Sequence, residues 1–223
     1  MKNNISIIIV TILIFHALTI FNTNSSEKFN FDITEIEVSE NGDRIKGFKR
    51  GTITSDENLI IEANEFDYNK ITNILKLNGN VIIKDVEKNY KIFSEKVEYN
   101  KNKEIIKTQD NSKIILGNEG NISANTFEYQ RINDLIIAQD KVEIINNLKK
   151  YKIIADEINY FRKIDKIISK GKTQAIFQSK FFFHSEDINF FSNEGILIAN
   201  KQTKIEDSDN QVYFVDKFKY NIK

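Results

Sequence analysis

The chain has 223 residues, enough for one domain with a substantial core or for two small ones. Its 32 basic and 32 acidic side chains balance, so there is no electrostatic case for a nucleic-acid partner. The absence of cysteine excludes disulfides, thiolate nucleophiles and cysteine-ligated metal sites.

The first 25 residues are predicted to be a targeting segment outside the fold. Lys2 supplies a positive charge, and residues 5–21 are mostly apolar. This is the pattern of a secretory signal peptide, but no Ala-x-Ala cleavage motif follows, so an uncleaved N-terminal anchor stays open as the alternative. In either case we expect residues 26–223 to be exported and to form a single repeat domain.

Near-copies of one short stretch recur along the exported part. The chain contains "IEANEFDYN" from Ile61, "ISANTFEYQ" from Ile122 and "IIADEINYF" from Ile153. The aromatic residue that closes each copy is called the marker, and it returns with a period of about 30 residues, which identifies an internal repeat. The markers are Tyr68, Tyr99, Tyr129, Tyr160, Phe190 and Tyr220, with Val38 in the same place in the first unit.

Other columns keep the same spacing from the marker. Seven places before it stand Phe31, Ile61, Ile92, Ile122, Ile153, Phe183 and Tyr213. Five places before it stand mostly small residues: Ile33, Ala63, Ser94, Ala124, Ala155, Ser185 and Val215. Two places before it stand Ile36, Phe66, Val97, Phe127, Ile158, Ile188 and Phe218. Apolar residues also recur seven and fifteen places after it, as in Leu75 and Ile83.

The spacing inside each unit predicts strands. Apolar and polar residues alternate with a period of two, which places one face of a strand inside and the other in water. The gap of three between the small residue and the next apolar one requires a bulge or a corner. Gly, Asn and Asp about eleven residues after each marker indicate a turn or a bulge. We therefore expect an all-β chain whose stacked units form an elongated sheet, folded over so that the apolar columns face one another.

The unit "ANEFDYNKITNILKLNGNVIIKD", residues 63–85, resembles the OstA-like repeat of the periplasmic lipopolysaccharide-transport family, and so does "ADEINYFRKIDKIISKGKTQAIF", residues 155–177. The resemblance covers nearly all of the exported chain. It implies a folded β-jellyroll, or β-taco, whose open apolar groove carries the acyl chains of lipid A. Groove residues implied in this way are Ile61, Ala63, Phe66, Tyr68, Ile92, Val97, Tyr99, Ile122, Ala124, Phe127, Tyr129, Ile153, Ala155, Ile158 and Tyr160.

The resemblance also implies a location and partners. It suggests the periplasm of a Gram-negative bacterium, in association with the outer membrane, with lipopolysaccharide as ligand. Other jellyrolls of the same system would dock through the edge strands, and no cofactor is implied. The last unit stops soon after Tyr220, so we expect the N-terminal part of a longer protein. An outer-membrane assembly protein of the LptD type, with a barrel to follow, is thus slightly favoured over a bridge protein of the LptA type.

Residues suited to catalysis or metal binding are few. His184 stands beside Glu186 and Asp187, which we interpret as a strand histidine next to solvated carboxylates, and residues 206–210 are interpreted as a solvated turn and not as a calcium loop. We expect no catalytic residue, no metal site and no enzymatic activity. The alternatives left open are an exported β-solenoid enzyme acting on polysaccharide and a structural repeat protein without a ligand, in which the apolar columns are ordinary core.

Overall fold

The computed structural model describes residues 29–56 and 58–222, and the predicted targeting segment lies outside them. Within the described residues the chain is nearly all antiparallel β-sheet, which confirms the predicted fold class. Three single 3-10 turns interrupt it, at Glu40–Gly42, Lys101–Lys103 and Arg162–Ile164. In this part of the chain no helix combines the length and hydropathy that crossing a membrane requires.

The strands follow one another through short connections. The N-terminal half contains β1 (Phe29–Asp32), β2 (Glu35–Ser39), β3 (Arg44–Phe48), β4 (Gly51–Ser55), β5 (Leu59–Ala63), β6 (Glu65–Asn69), β7 (Ile74–Asp85), β8 (Tyr90–Asn100), β9 (Ile105–Gln109), β10 (Ser112–Leu116) and β11 (Gly120–Ala124). The C-terminal half contains β12 (Thr126–Gln130), β13 (Leu135–Asn146), β14 (Tyr151–Phe161), β15 (Lys166–Lys170), β16 (Lys172–Phe177), β17 (Phe181–Glu186), β18 (Ile188–Phe191), β19 (Ile196–Ala199), β20 (Thr203–Glu206), β21 (Val212–Val215) and β22 (Phe218–Asn221).

The strands form rungs that pair in a continuous meander. A rung is either one long strand, such as β7, or two short strands end to end, such as β5 and β6. Neighbouring rungs run antiparallel and pair over their whole length, as β7 and β8 do from Ile74 opposite Asn100 to Asp85 opposite Tyr90. Two rungs therefore bring the chain back to the same side of the sheet, which explains why the sequence repeats once every two rungs.

A crease crosses the middle of the rungs and folds the sheet into two leaves. In β7 the register shifts between Asn78 and Val81, and in β13 it shifts between Gln139 and Val142, so both strands bulge there. Crease residues with positive φ include Gly79, Asn80, Asp110, Asn111, Asp140, Lys141, Gly171 and Asp187. All but Asp187 fall in the stretches about eleven residues after a marker, where the sequence predicted a turn or a bulge. Asp187 falls in the gap of three, where it predicted a bulge or a corner, and at all these places the structure has bends within rungs.

Each leaf contains one half of every rung. Leaf 1 contains β1, β4, β5, β10, β11, β16, β17, β20 and β21, with residues 81–85, 90–94, 142–146 and 151–155 of the long strands. Leaf 2 contains β2, β3, β6, β9, β12, β15, β18, β19 and β22, with the other halves of the long strands. The edge opposite the crease, where the hairpin turns of both leaves lie, is called the mouth.

Apolar ladders run along the inner face of each leaf at right angles to the strands. On leaf 2 the markers alternate with the residues seven places later, in the order Ile45, Tyr68, Leu75, Tyr99, Ile106, Tyr129, Ile136, Tyr160, Ile167, Phe190, Leu197 and Tyr220. On leaf 1 the corresponding ladder is Phe31, Ile53, Ile61, Ile83, Ile92, Ile114, Ile122, Ile144, Ile153, Ala175, Phe183, Ile205 and Tyr213. The two inner faces pack together as one hydrophobic core.

Both ends of the meander expose apolar side chains. Among the described residues β2 pairs with β3 alone, and Ile36 and Val38 on it are 44% and 60% exposed. At the other end β21 pairs with β20 alone, and Tyr213 and Phe214 on it are 51% and 68% exposed. Each end thus presents a sheet edge together with hydrophobic surface.

Candidate binding groove

The fifteen residues predicted to line a groove all lie in the interior between the leaves. None of them is more than 6% exposed, and all belong to the one core. Leaf 1 contributes Ile61, Ala63, Ile92, Ile122, Ala124, Ile153 and Ala155, and leaf 2 contributes Phe66, Tyr68, Val97, Tyr99, Phe127, Tyr129, Ile158 and Tyr160. The structure therefore brings the whole set together, as two facing walls in contact. Which of these residues touch a ligand stays a prediction.

On leaf 1 the inward side chains are small beside the crease and larger toward the mouth. Examples are the series Ser94, Ile92, Tyr90 and the series Ala155, Ile153, Tyr151, and Ala63 is likewise followed by the larger Ile61 and Leu59. The column of small residues noted in the sequence is the one beside the crease, where the leaves meet. Aromatic residues gather at the mouth, and the rings of Tyr90 on leaf 1 and Tyr129 on leaf 2 meet edge to face at 4.8 Å.

Hydroxyl groups satisfy the backbone where the crease interrupts the sheet. Ser94 Oγ donates to the carbonyl oxygen of Gln109 at 2.8 Å. Thr173 Oγ1 donates to Ser169 Oγ at 2.8 Å, and Ser169 Oγ accepts from the amide of Ile188 at 2.9 Å. Because these bonds are internal, the hydroxyls do not provide polar groups for a ligand.

The mouth is tied shut at its centre by a buried ion pair between the leaves. Arg131, in the turn after β12 on leaf 2, reaches Asp85 at the end of β7 on leaf 1, with Nη2 at 2.9 Å and Nε at 3.2 Å from Oδ2. Arg131 also pairs with Glu104. The two side chains of the pair across the mouth are 5% and 0% exposed. Burial opposes the charge, but Tyr90, Asp85 and Glu104 more than offset it, so the pKa of Arg131 is raised and the guanidinium stays protonated.

Backbone carbonyls on both leaves accept bonds from basic side chains of the opposite leaf. Lys88, in the leaf 1 turn after β7, donates from Nζ to the carbonyl oxygen of Arg131. Arg162, in the leaf 2 turn after β14, donates from Nη2 to the carbonyl oxygen of Lys88 at 3.2 Å. Lys88 therefore links two successive leaf 2 turns. It donates to the turn of Arg131 and accepts from the turn of Arg162.

Lys149 makes a similar bridge further along the mouth. From the leaf 1 turn after β13 it forms an ion pair with Asp165, and its Nζ lies 3.0 Å from Ser192 Oγ, both on leaf 2. At the other end, Lys101 Nζ stands 4.6 Å above the ring of Phe29 across the mouth. Four cations that hydrogen-bond between the leaves are together called the cross-mouth row: Lys88, Arg131, Lys149 and Arg162. In this structure the groove is filled by its own side chains and bridged over.

The cross-mouth row was missed at the sequence level although its signal was present. The residue two places after the marker is basic in four successive repeats, at Lys70, Lys101, Arg131 and Arg162. A lysine stands twenty places after the marker in three repeats, at Lys88, Lys149 and Lys180. Both columns fall in hairpin turns, where a charge run is usually a solvated surface, so only the folding of the sheet shows that they meet.

The other sequence candidates form no site. His184 lies on β17 beside Lys204 of β20 in the sheet register. Asp207 Oδ1 accepts from the amides of Asp209 and Gln211, which is the bonding of a closed turn. Over residues 29–56 and 58–222 no group of three or more His, Cys, Asp or Glu is placed to hold a metal ion.

Comparison with known proteins finds a likeness in structure and none in sequence. No family model matches the sequence, and no curated protein does. Among solved structures the chain is similar to LptH from Pseudomonas aeruginosa, described as the LptA-homologous periplasmic component of the conserved lipopolysaccharide transport device. The likeness covers 52% of this chain and 84% of that one, at 11% identity and a TM-score of 0.47. We infer what this chain binds from its own interior, mouth and repeat.

Proposed function

We propose that the chain is a non-enzymatic carrier that shelters the acyl chains of lipopolysaccharide between its leaves as the lipid crosses the periplasm to the outer membrane. The observation that carries the proposal is the apolar interior, which runs without a break from the first rung to the last. Exposing acyl chains to water costs about 0.8 kcal/mol per methylene, so a carrier must cover them continuously. An interior of repeated columns offers similar positions along its length, which suits movement of the lipid.

The carrier would open at its mouth, with the crease as its hinge. At the crease the pairing within rungs is interrupted by bulges, whereas the mouth is held by side-chain contacts between turns. When the leaves part, inward residues such as Phe66 and Phe127 exchange contact with the opposite leaf for contact with acyl chains. Apolar surface stays covered in both states, which keeps the free-energy difference between them small.

The exposed sheet edges suit the docking of similar jellyrolls. Edge strands carry unpaired N–H and C=O groups, and proteins usually protect them with proline, charge or a covering segment. Here the two ends carry Val38 and Phe214 as exposed apolar residues on β2 and β21. Addition of a strand from a second jellyroll at either end would extend the interior from one molecule into the next. This role places the chain in the periplasm, next to the outer membrane if a barrel follows it as in the LptD type.

Photo-crosslinking in cells tests the carrier function. A photoreactive residue at Phe66 or Phe127, both inside the core, should capture lipopolysaccharide. The matched controls are Glu65, which precedes Phe66, and Glu128, which follows Phe127. Both side chains lie outside the interior. Equal yields from inward and outward positions would reject a directed lipid path.

A structural repeat protein without a ligand is the second candidate. The observation in its favour is that every predicted groove residue is already buried against other side chains of the chain. It predicts that protein purified under gentle conditions carries no lipid and that inward photoreactive residues capture none. Capture of lipopolysaccharide at Phe66 and Phe127, with none at Glu65 and Glu128, would exclude this second candidate.

A further inference from the structure

The cross-mouth row places four positive charges directly above the apolar interior. Lys88 and Lys149 belong to leaf 1, and Arg131 and Arg162 belong to leaf 2, so each leaf contributes donors. Their partners across the mouth are two carboxylates, a hydroxyl, a side-chain amide oxygen and two backbone carbonyls. Apolar walls are sufficient to bind acyl chains, so the positive charges of the cross-mouth row need a separate explanation.

A second observation marks the same place as a site for an acceptor. Tyr90 is 3% exposed, and its Oη is buried without a hydrogen-bond partner of good geometry, although Arg131 lies close enough to affect its pKa. Its ring lies against Tyr129 and 5.8 Å from the guanidinium carbon of Arg162. A buried hydroxyl donor without an acceptor, beside the guanidinium groups of Arg131 and Arg162, fits an anionic oxygen.

We propose that the cross-mouth row is a latch opened by the phosphate group of an acylated amphiphile. The phosphate oxygens take over donors of Arg131, Arg162 and Lys88, together with Tyr90 Oη, and the acyl chains enter between the parted leaves. The inference rests on the proposed carrier function and adds what the mouth recognises.

The partners of the row explain why an anion is needed. Parting the leaves without one would break the pair of Arg131 with Asp85 and leave Asp85 without its cation, and separation of a buried ion pair is strongly unfavourable. Phosphate offers three acceptor oxygens and accepts paired bonds from guanidinium groups, so it compensates the cations at the moment of opening. A neutral amphiphile with the same chains gains the apolar contact but offers no anionic acceptor to replace the bonds that the row loses across the mouth. The latch therefore selects phosphorylated lipids.

Spin labels at Leu148→Cys and Ile164→Cys measure the width of the mouth. These residues are 67% and 62% exposed and adjoin Lys149 on leaf 1 and Asp165 on leaf 2. The chain contains no cysteine, so the labels attach only there. The probes are short-chain phosphatidic acid, diacylglycerol with the same chains, and inorganic phosphate. We expect the distance between the labels to increase with phosphatidic acid only.

Removing charge from the row should abolish the selectivity. The double variant Arg162→Met and Lys88→Met keeps the apolar stems, and binding of the two amphiphiles is measured by calorimetry. Affinity for phosphatidic acid over diacylglycerol should fall from at least about tenfold to near equality. Lys88→Met alone, at a partly buried side chain, should show the same trend and serves if the double variant does not fold. Lys113→Met, on the outward face of leaf 1, is the control and should keep the selectivity.

The outcomes separate this inference from the carrier function. Equal binding of both amphiphiles by the unmodified chain overturns the latch and leaves the carrier. Widening by inorganic phosphate alone also overturns it, because the lipid would then be unnecessary. Binding of neither amphiphile overturns both proposals.

Discussion

The hydroxyl of Tyr160 donates to Asp165 Oδ1 at 2.7 Å, five residues further along the chain. The same bond joins Tyr68 to Asn73, Tyr99 to Glu104 and Tyr129 to Asp134, at 2.5 to 2.8 Å. Each acceptor residue has a φ between 49° and 53°, in the left-handed region. In the next repeat the marker is Phe190, which has no hydroxyl, and Gly195 takes the acceptor position with a φ of 71°. From the unit of Tyr68 to that of Phe190, donor and acceptor are thus present together or absent together, so the bond is a unit of these repeats.

Tyr160→Phe should destabilise the chain by about 1–3 kcal/mol, because it removes one donor from a largely buried carboxylate. Urea unfolding followed by circular dichroism measures the change as a lower midpoint with an unchanged slope. Tyr213→Phe, at an exposed position, is the matched control and should leave the midpoint in place. Equal shifts in both variants would show that the bond to Asp165 does not stabilise the turn.

Stability should fall above pH 10, because the mouth tyrosines resist ionisation. Burial raises the pKa of Tyr90, Tyr129, Tyr151 and Tyr160, with smaller contributions from nearby charged groups and, for Tyr129, from its bond to Asp134. A group whose pKa is raised by folding contributes stability below its unfolded pKa of about 10 and loses it as the pH rises further. Tyrosinate absorbance and circular dichroism should therefore change together at high pH. Ionisation of all the tyrosines with the fold intact would contradict this.

Arg131→Met should destabilise the chain by about 3–5 kcal/mol, because it leaves Asp85 buried without its cation, and Asp85→Asn should cost less, because Glu104 still pairs with Arg131. The double variant should lose less than the sum of the two, since it removes both charges. Urea unfolding of all three variants gives the coupling energy. Lys49→Met, which removes an exposed ion pair with Glu35, is the control and should have little effect. Additive losses would mean that the pair does not couple the leaves.

Much of the fold could be predicted from the sequence because the repeat samples each structural position several times. The parity break before Phe66 and Phe127 predicted a bend, and it lies at the crease. The alternation around the markers predicted one inward column, and pairing confirms it as an unbroken ladder. These features depend on local periodicity, which a single chain displays directly.

The sequence did not predict the contacts between residues that are far apart along the chain. Arg131 and Asp85 are separated by 46 positions and stand in different columns of the repeat, so no spacing rule connects them. The sequence suggested an open groove at the place where such contacts close it. Which turns of the two leaves meet is determined by how the sheet folds at the crease. That folding depends on all the rungs together, so no single stretch of sequence displays it.

The two ends of the sheet should bind each other when molecules associate. A contact between unlike ends continues head to tail, whereas a contact between like ends stops at a dimer. Val38→Lys places a charge on the exposed edge strand β2, and Phe214→Lys does the same on β21. We expect each variant alone to remain monomeric in sedimentation velocity runs at concentrations where the unmodified chain associates. An equal mixture should form dimers and nothing larger, because each variant keeps one intact end and the two intact ends are complementary.

Lys113→Met, away from both edges, should associate as the unmodified chain does. Dimers of Val38→Lys alone would show that two β21 ends pair with each other, and the head-to-tail arrangement would then be wrong.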